Sequence, residues 1–188
     1  MKITIFPFLI AVLFAATTIS CDKDDAPDPD PDPEPKEEQI ATYLKMVFKP
    51  VGDTLLPPAA YPYVRVEIED GRSTRSSTSL RTNRAYDVSV VLEDRRLEPI
   101  KDITQLIASK ADQYQLFIKA KEELIVFEAQ DVDSKGLPIG LQWRATVKET
   151  QSFFNSYEIT IIDAPGTKNG TSTVGKKVFQ ITTDQSIL

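Results

Sequence analysis

Beyond residue 40, apolar and polar residues alternate with a period of two in one segment after another, the pattern of strands that bury one face and expose the other. Leu44, Met46 and Phe48 set a first strand, and Val64, Val66 and Ile68 a second that stops at the turn pair Asp70-Gly71. Tyr86, Val88, Val90 and Leu92 set a third. Five more follow: Tyr114-Leu116-Ile118, the run Leu124 to Phe127, Leu141-Trp143-Ala145-Val147, Tyr157-Ile159-Ile161, and a last segment from Val178 to Ile181. Between the third and fourth, Asp102 stands at a helix N-cap with Gln105 in capping-box position, and Ile103, Leu106, Ile107 and Ala111 fall on one helical face. About eight short strands with one helical crossover and no βαβ rhythm predict an all-β fold, a single immunoglobulin-like β-sandwich of antiparallel strands. Trp143, at an inward position of that alternation, reads as core rather than as a ligand platform.

The first forty residues follow another rule. Met1-Lys2 precedes an apolar run from Ile3 to Ala16, interrupted by Pro7 and short for a membrane span of about 20 residues. Thr18-Ile19-Ser20-Cys21 comes next, then Asp22-Lys23-Asp24-Asp25. Cys21 is the chain's single cysteine and so has no disulfide partner within the chain. This order resembles a bacterial lipobox, in which the cysteine takes a diacylglycerol, the peptide is cut before it and the new terminus is acylated. It departs from the usual pattern at Thr18, where leucine is the common residue. Several acyl chains, at about 0.8 kcal/mol per buried CH₂, make a tether that does not let go. Asp22, Lys23, Asp24 and Asp25 resemble the signal that sends Bacteroidota-type lipoproteins to the cell surface. The division expected is residues 1–20 as signal peptide, 21–38 as lipidated cysteine plus acidic proline-rich disordered linker, and 39–188 as the β-sandwich domain.

Charge sharpens that division. Residues 22–38 hold nine acidic side chains against two lysines, with prolines at alternate positions from Pro27 to Pro35. Such a segment cannot bury a core and favours extended polyproline II, at about 3.1 Å per residue. The chain's net charge of −6 therefore belongs to the spacer, because residues 39–188 balance nineteen acidic against nineteen basic side chains. A neutral domain of this kind does not suggest nucleic acid as a partner.

Several stretches of the domain resemble an unnamed family of small outer-membrane lipoproteins of Bacteroidota-type bacteria, some of whose members are labelled type 1 periplasmic-binding-domain proteins. The residues that carry the likeness are Val64 to Gly71, Asn83-Arg84-Ala85-Tyr86, Ile100 to Ile103, Asp112 to Phe117, Asp131 to Leu141 and Pro165-Gly166-Thr167-Lys168. The resemblance implies residence at the outer membrane and work beside a larger partner such as a TonB-dependent receptor in nutrient uptake. Relatives carry acidic residues and a histidine where this chain has Lys110 to Tyr114. Here the chain has Tyr114 and no histidine at all, so no metal role is carried over. Two α/β lobes of a periplasmic binding protein do not fit a β-patterned stretch of this length.

Chemistry is scarce. Without histidine and with the one cysteine committed to the anchor, the chain lacks Ser-His and Cys-His nucleophiles and the commonest zinc ligand. Glu67 and Glu69 fall on the strand face opposite Val66 and Ile68, which reads as a solvated face rather than a glycosidase pair. Asp131, Asp133 and Gly136 echo a calcium loop, but Lys135 and Gln142 occupy positions that need oxygen and a bidentate glutamate, so a turn between strands explains them as well. Gly170, Gly175 and Lys176 match part of a phosphate loop, yet Lys177 replaces the Ser or Thr and a strand is expected to follow instead of a helix. Asn169-Gly170-Thr171 and Asp53-Thr54-Leu55 fit glycosylation triplets.

Arg72, Arg75, Arg81 and Arg84 stand in a Ser/Thr-rich stretch with no acidic residue from Gly71 to Tyr86. A long solvated loop accounts for them; a contact with an anionic glycan or lipid headgroup is the alternative, since guanidinium forks suit such groups. No catalytic residue, metal or cofactor is expected. The function expected is a lipid-anchored, surface-exposed outer-membrane lipoprotein acting as a non-enzymatic binding or accessory module. A structural or adhesive surface protein without a small ligand is the alternative.

Overall fold

The alternating segments fold as strands where the pattern sets them, and the computed structural model describes residues 39–52, 56–70 and 72–188. The strands are β1 (Tyr43–Pro50), β2 (Tyr63–Glu69), β3 (Arg72–Ser77), β4 (Arg84–Asp94), β5 (Lys101–Asp102), β6 (Tyr114–Ala120), β7 (Ile125–Ala129), β8 (Gln142–Val147), β9 (Phe154–Asp163) and β10 (Lys176–Ser186). They make two antiparallel sheets packed as a sandwich. One has the order β3-β2-β1-β4-β8-β7, with β5 paired to β4, and the other the order β10-β9-β6.

Register puts most apolar side chains of the longer strands on one face. Leu44 lies opposite Val66 on one side and Leu92 on the other, and Met46 opposite Val64 and Val90. Val88 continues the row to Trp143. In the second sheet Ile159 lies opposite Ile118 and Ile181, and Ile161 opposite Leu116 and Phe179. These two faces meet in a single core. Each large side chain fully buried there, Phe48 or Leu116 for example, contributes roughly 1.5–3 kcal/mol relative to an exposed position. Trp143 is part of it, 8% exposed, with its indole N–H donating to Gly140 O at 2.6 Å and its ring edge-on to Phe127.

The crossover between sheets is helical. Helix α1 (Ile103–Ser109) begins at Asp102, whose carboxylate accepts the Gln105 amide at 2.9 Å, and it buries Ile103 and Ile107. It ends two residues earlier than the apolar pattern suggests, because Lys110 leaves helical geometry at φ −120° and ψ 42°. Ala111 therefore lies beyond it. Among the described residues no helix is long and apolar enough to cross a membrane.

One expectation fails. The stretch after Gly71 is not a long loop but strand β3, registered residue by residue against β2 from Arg72 opposite Glu69 to Ser77 opposite Val64. Its sequence carries no apolar side chain, so alternation could not reveal it; the open backbone edge of β2 holds it in place. The solvated face of the same sheet is charge-paired, with Arg95 bridging Glu93 at 2.8 Å and Glu67 at 2.9 Å while its guanidinium lies 3.4 Å from the Tyr43 ring centre. Glu67 thus belongs to a surface ion network.

Candidate functional site

A cleft of about 490 Å³ opens at one end of the sandwich. One wall is the 3-10 turn Pro58–Ala60, which continues into Tyr61 and Pro62. Proline at its first position suits a short turn of this kind, and Tyr61 N donates to Pro58 O at 3.2 Å. The opposite wall is residues 78–84, which carry Arg81 and Arg84. Between them lie Tyr63, half-exposed, and Tyr86, which is only 2% exposed.

The arginine wall is held by backbone. Leu80 is fully buried; its amide donates to Ser186 O at 2.9 Å, and its carbonyl accepts from Leu188 N at 2.7 Å. Thr82 N donates to Leu188 O at 2.9 Å, and Arg81 N donates to the Tyr86 hydroxyl at 2.9 Å. Asn83 then turns the chain at φ 53°, a left-handed conformation that asparagine tolerates better than most residues. The two guanidiniums are brought to one cleft by a segment anchored in the core, not by a free loop. No acidic residue lines the cleft, and neither guanidinium forms an ion pair with a described residue.

The other two members of the arginine set are elsewhere. Arg72 lines a separate cleft beside Glu69 and Asp70, and Arg75, three residues along β3, falls on the opposite face of that strand. The structure brings Arg81 and Arg84 together and separates Arg72 and Arg75 from them and from each other. Next to the first cleft is another of about 400 Å³, lined by Thr82, Gln151, Phe153 and Ile187 among others, and Leu188 borders both. Phe153 and Leu188 are 69% and 73% exposed there, and the next residue along the chain from Phe153, Phe154, is 63% exposed.

The calcium-like loop has a different construction. Asp131 accepts the amides of Gly140 and Leu141, both at 2.9 Å, and Asp133 accepts those of Lys135 at 2.9 Å and Leu137 at 2.8 Å. The second oxygen of Asp133 meets Lys168 Nζ at 2.8 Å, and the two side chains are 0% and 2% exposed. Lys168 also donates to Ala111 O at 2.8 Å. Burial pushes the Asp133 carboxyl up, but the ammonium of Lys168 and the amides of Leu137 and Lys135 outweigh it and hold it below its ordinary value. These carboxylates are occupied by the protein's own donors, and among the described residues no three His, Cys, Asp or Glu side chains converge to hold a metal ion.

The remaining motifs are structural. Gly170 and Gly175 lie in the connection between β9 and β10, and strand β10 follows directly at Lys176. Asn169 accepts both the amide and the hydroxyl of Thr171. Tyr114 is buried; desolvation first, then the charge of Asp163, push its hydroxyl above the ordinary value. Cys21, Asp22, Lys23, Asp24, Asp25 and the Asp53-Thr54-Leu55 triplet lie outside the described residues.

Comparison with protein-family models, with curated proteins and with solved structures returns no match for this chain. The cleft residues that sequence reading passed over are the tyrosines. Tyr61 and Tyr63 sit in the cluster Pro57-Pro58-Ala59-Ala60-Tyr61-Pro62-Tyr63, whose proline and aromatic density after the first strand was the available signal. Tyr86 shows only as one member of an alternating strand.

Proposed function

We propose that the chain is a lipid-anchored surface lipoprotein of the outer membrane, a non-enzymatic module that binds or presents a ligand through its β-sandwich domain. The observation that carries this reading is the order Lys2, apolar run, Cys21, Asp22 to Asp25 and acidic proline spacer ahead of a neutral domain. Acylated Cys21 supplies the hold on the membrane, the spacer supplies distance, and the cleft flanked by Arg81, Arg84 and the tyrosines supports a binding role. A TonB-dependent receptor as neighbour is proposed from the sequence resemblance alone.

Expression in a Bacteroidota-type host tests the anchor. Wild-type protein incorporates labelled fatty acid and sediments with the outer membrane, whereas Cys21→Ala does neither. Protease added to intact cells removes the domain if it faces outward; a domain cut only after lysis would sink the surface assignment. A receptor neighbour would co-purify in stoichiometric amount in mild detergent. The second reading, an adhesive surface protein, draws on the exposed Phe153, Phe154 and Leu188 and predicts self-association of the purified chain instead.

A further inference from the structure

We propose that the cleft between Tyr61 and the Arg81–Arg84 wall binds an acidic saccharide chain, its carboxylate or sulfate groups held by the two guanidiniums and its ring faces laid on tyrosine. The proposal rests on the binding reading above and names the ligand class.

Three observations converge on it. Arg81 and Arg84 face a cleft with no acidic liner and have no ion-pair partner among the described residues; Arg65, Arg72 and Arg75 likewise form no ion pair with a described residue, but Arg72 shares its cleft with Glu69 and Asp70 and none of the three lines this one. Two unpaired guanidiniums on a segment pinned to the core are prepared to meet anionic oxygens with little ordering left to do. Secondly, Tyr61 remains half-exposed in the same cleft, offering a flat apolar ring with a polar tip, and Ser79 adds a hydroxyl, whereas the Tyr63 ring already has Lys45 Nζ over it at 5.8 Å from its centre. A free inorganic anion needs no aromatic surface, whereas a sugar bears C–H faces beside its hydroxyls and charge. Thirdly, Leu188 borders both this cleft and the second one of about 400 Å³, where Phe153 is exposed. Two neighbouring clefts, the first alone of about 490 Å³, give room for an oligomer rather than a single ring. A nucleic acid fits less well, because the domain's charges balance and the cationic feature is confined to two side chains.

The test titrates the purified full-length mature chain, non-acylated through Cys21→Ala, with three hexasaccharides: oligogalacturonate bearing carboxylates, heparin-derived bearing sulfates as well, and maltohexaose as the neutral comparison. At least one acidic hexasaccharide binds, more tightly than its disaccharide, and maltohexaose does not. Arg81→Ser/Arg84→Ser weakens that binding roughly tenfold or more. Arg72→Ser/Arg75→Ser leaves it unchanged, and Tyr61→Ala weakens it without altering the thermal midpoint. Thermal melts of every variant confirm folding, which these exposed substitutions leave intact. The relative strength of the two acidic ligands tells carboxylate from sulfate.

The proposal is overturned if neither acidic hexasaccharide binds, if the Arg72/Arg75 variant loses as much as the Arg81/Arg84 variant, or if maltohexaose binds equally. It is also overturned if phosphatidylglycerol vesicles, and not the saccharides, are the species that depend on Arg81 and Arg84. None of these outcomes touches fatty-acid incorporation at Cys21 or protease shaving, so failure of the ligand class is distinguishable from failure of the anchored-module reading.

Discussion

Replacing Lys168 by methionine should expose how strongly one buried ion pair holds the loop 131–141. Methionine keeps much of the stem and removes the ammonium, leaving the Asp133 carboxylate with two amide donors and one uncompensated oxygen. Both side chains are withdrawn from water, at 0% and 2% exposure, so solvent cannot take over the role of the cation. Breaking a buried pair from one side costs about 3–5 kcal/mol, a large part of the roughly 5–15 kcal/mol that holds a typical domain together. For a domain of this size that lowers the thermal midpoint by roughly 6–20 °C. Urea unfolding followed by the fluorescence of Trp143, the single tryptophan and a core residue, reads the loss directly.

Two further results depend on the same buried charge. Asp133→Asn/Lys168→Met should be more stable than Lys168→Met alone, because the amide oxygen still accepts from Lys135 and Leu137 without a buried charge. The penalty of Lys168→Met should also shrink in acid, where Asp133 protonates. In the wild-type protein the folded carboxyl titrates below its unfolded value, so its contribution is fully present above that value, about 3.9, and is lost as pH falls through the folded one. A loss under about 1 kcal/mol for Lys168→Met at neutral pH, or a double variant no better than the single one, would refute the account.

Gly140→Ala should destabilise by about 3 kcal/mol or more in the same urea assay, since the position has φ +89° and a Cβ there would lie 2.2 Å from Leu116 O. Asp102→Ala should cost about 1 kcal/mol through loss of the α1 cap, with unchanged dependence on urea concentration. Tyr157→Phe should raise stability by about 1 kcal/mol, because the Tyr157 hydroxyl is fully buried with no hydrogen-bond partner among the described residues; a decrease would reveal a partner. Asp94→Asn should flatten the acid side of the stability profile. Its carboxyl is held low by the side-chain bond from Arg96 against the opposing effect of burial, so its contribution is present above about pH 4 and lost below.

Alternation made the long strands legible because most of their length has a single buried face, although β9 also buries Thr160 and Ile162 on its other side. Leu44-Met46-Phe48 and Tyr157-Ile159-Ile161 are visible as strands without knowledge of their partners. Strand β3 was not, since Arg72-Ser73-Thr74-Arg75-Ser76-Ser77 has no face to bury and is set by its neighbour's open edge. Half of the cleft was legible for a similar reason. A cationic stretch can be read from composition, but which arginines share a site depends on strand parity, which separates Arg72 from Arg75, and on the turn at Asn83, which keeps Arg81 near Arg84. Tyr61, Tyr63 and Tyr86 come from the chain before β2, from β2 and from β4, and no spacing in the sequence links the first two to the third. The Asp133–Lys168 pair is hidden more deeply, because an aspartate in a turn and a lysine in another loop look solvated until the fold buries both.

Strand β3 also bears on what the molecule avoids. It is the terminal strand of the larger sheet, so its outer backbone groups are unpaired within that sheet and would accept a strand from a second copy. Arginine at two of its six positions and hydroxyl side chains at the other four give an approaching identical edge two like charges and no apolar contact in return. Crowded side by side, these molecules would repel along this border, one of the sheet edges at which their backbones could otherwise fuse into a continuous sheet.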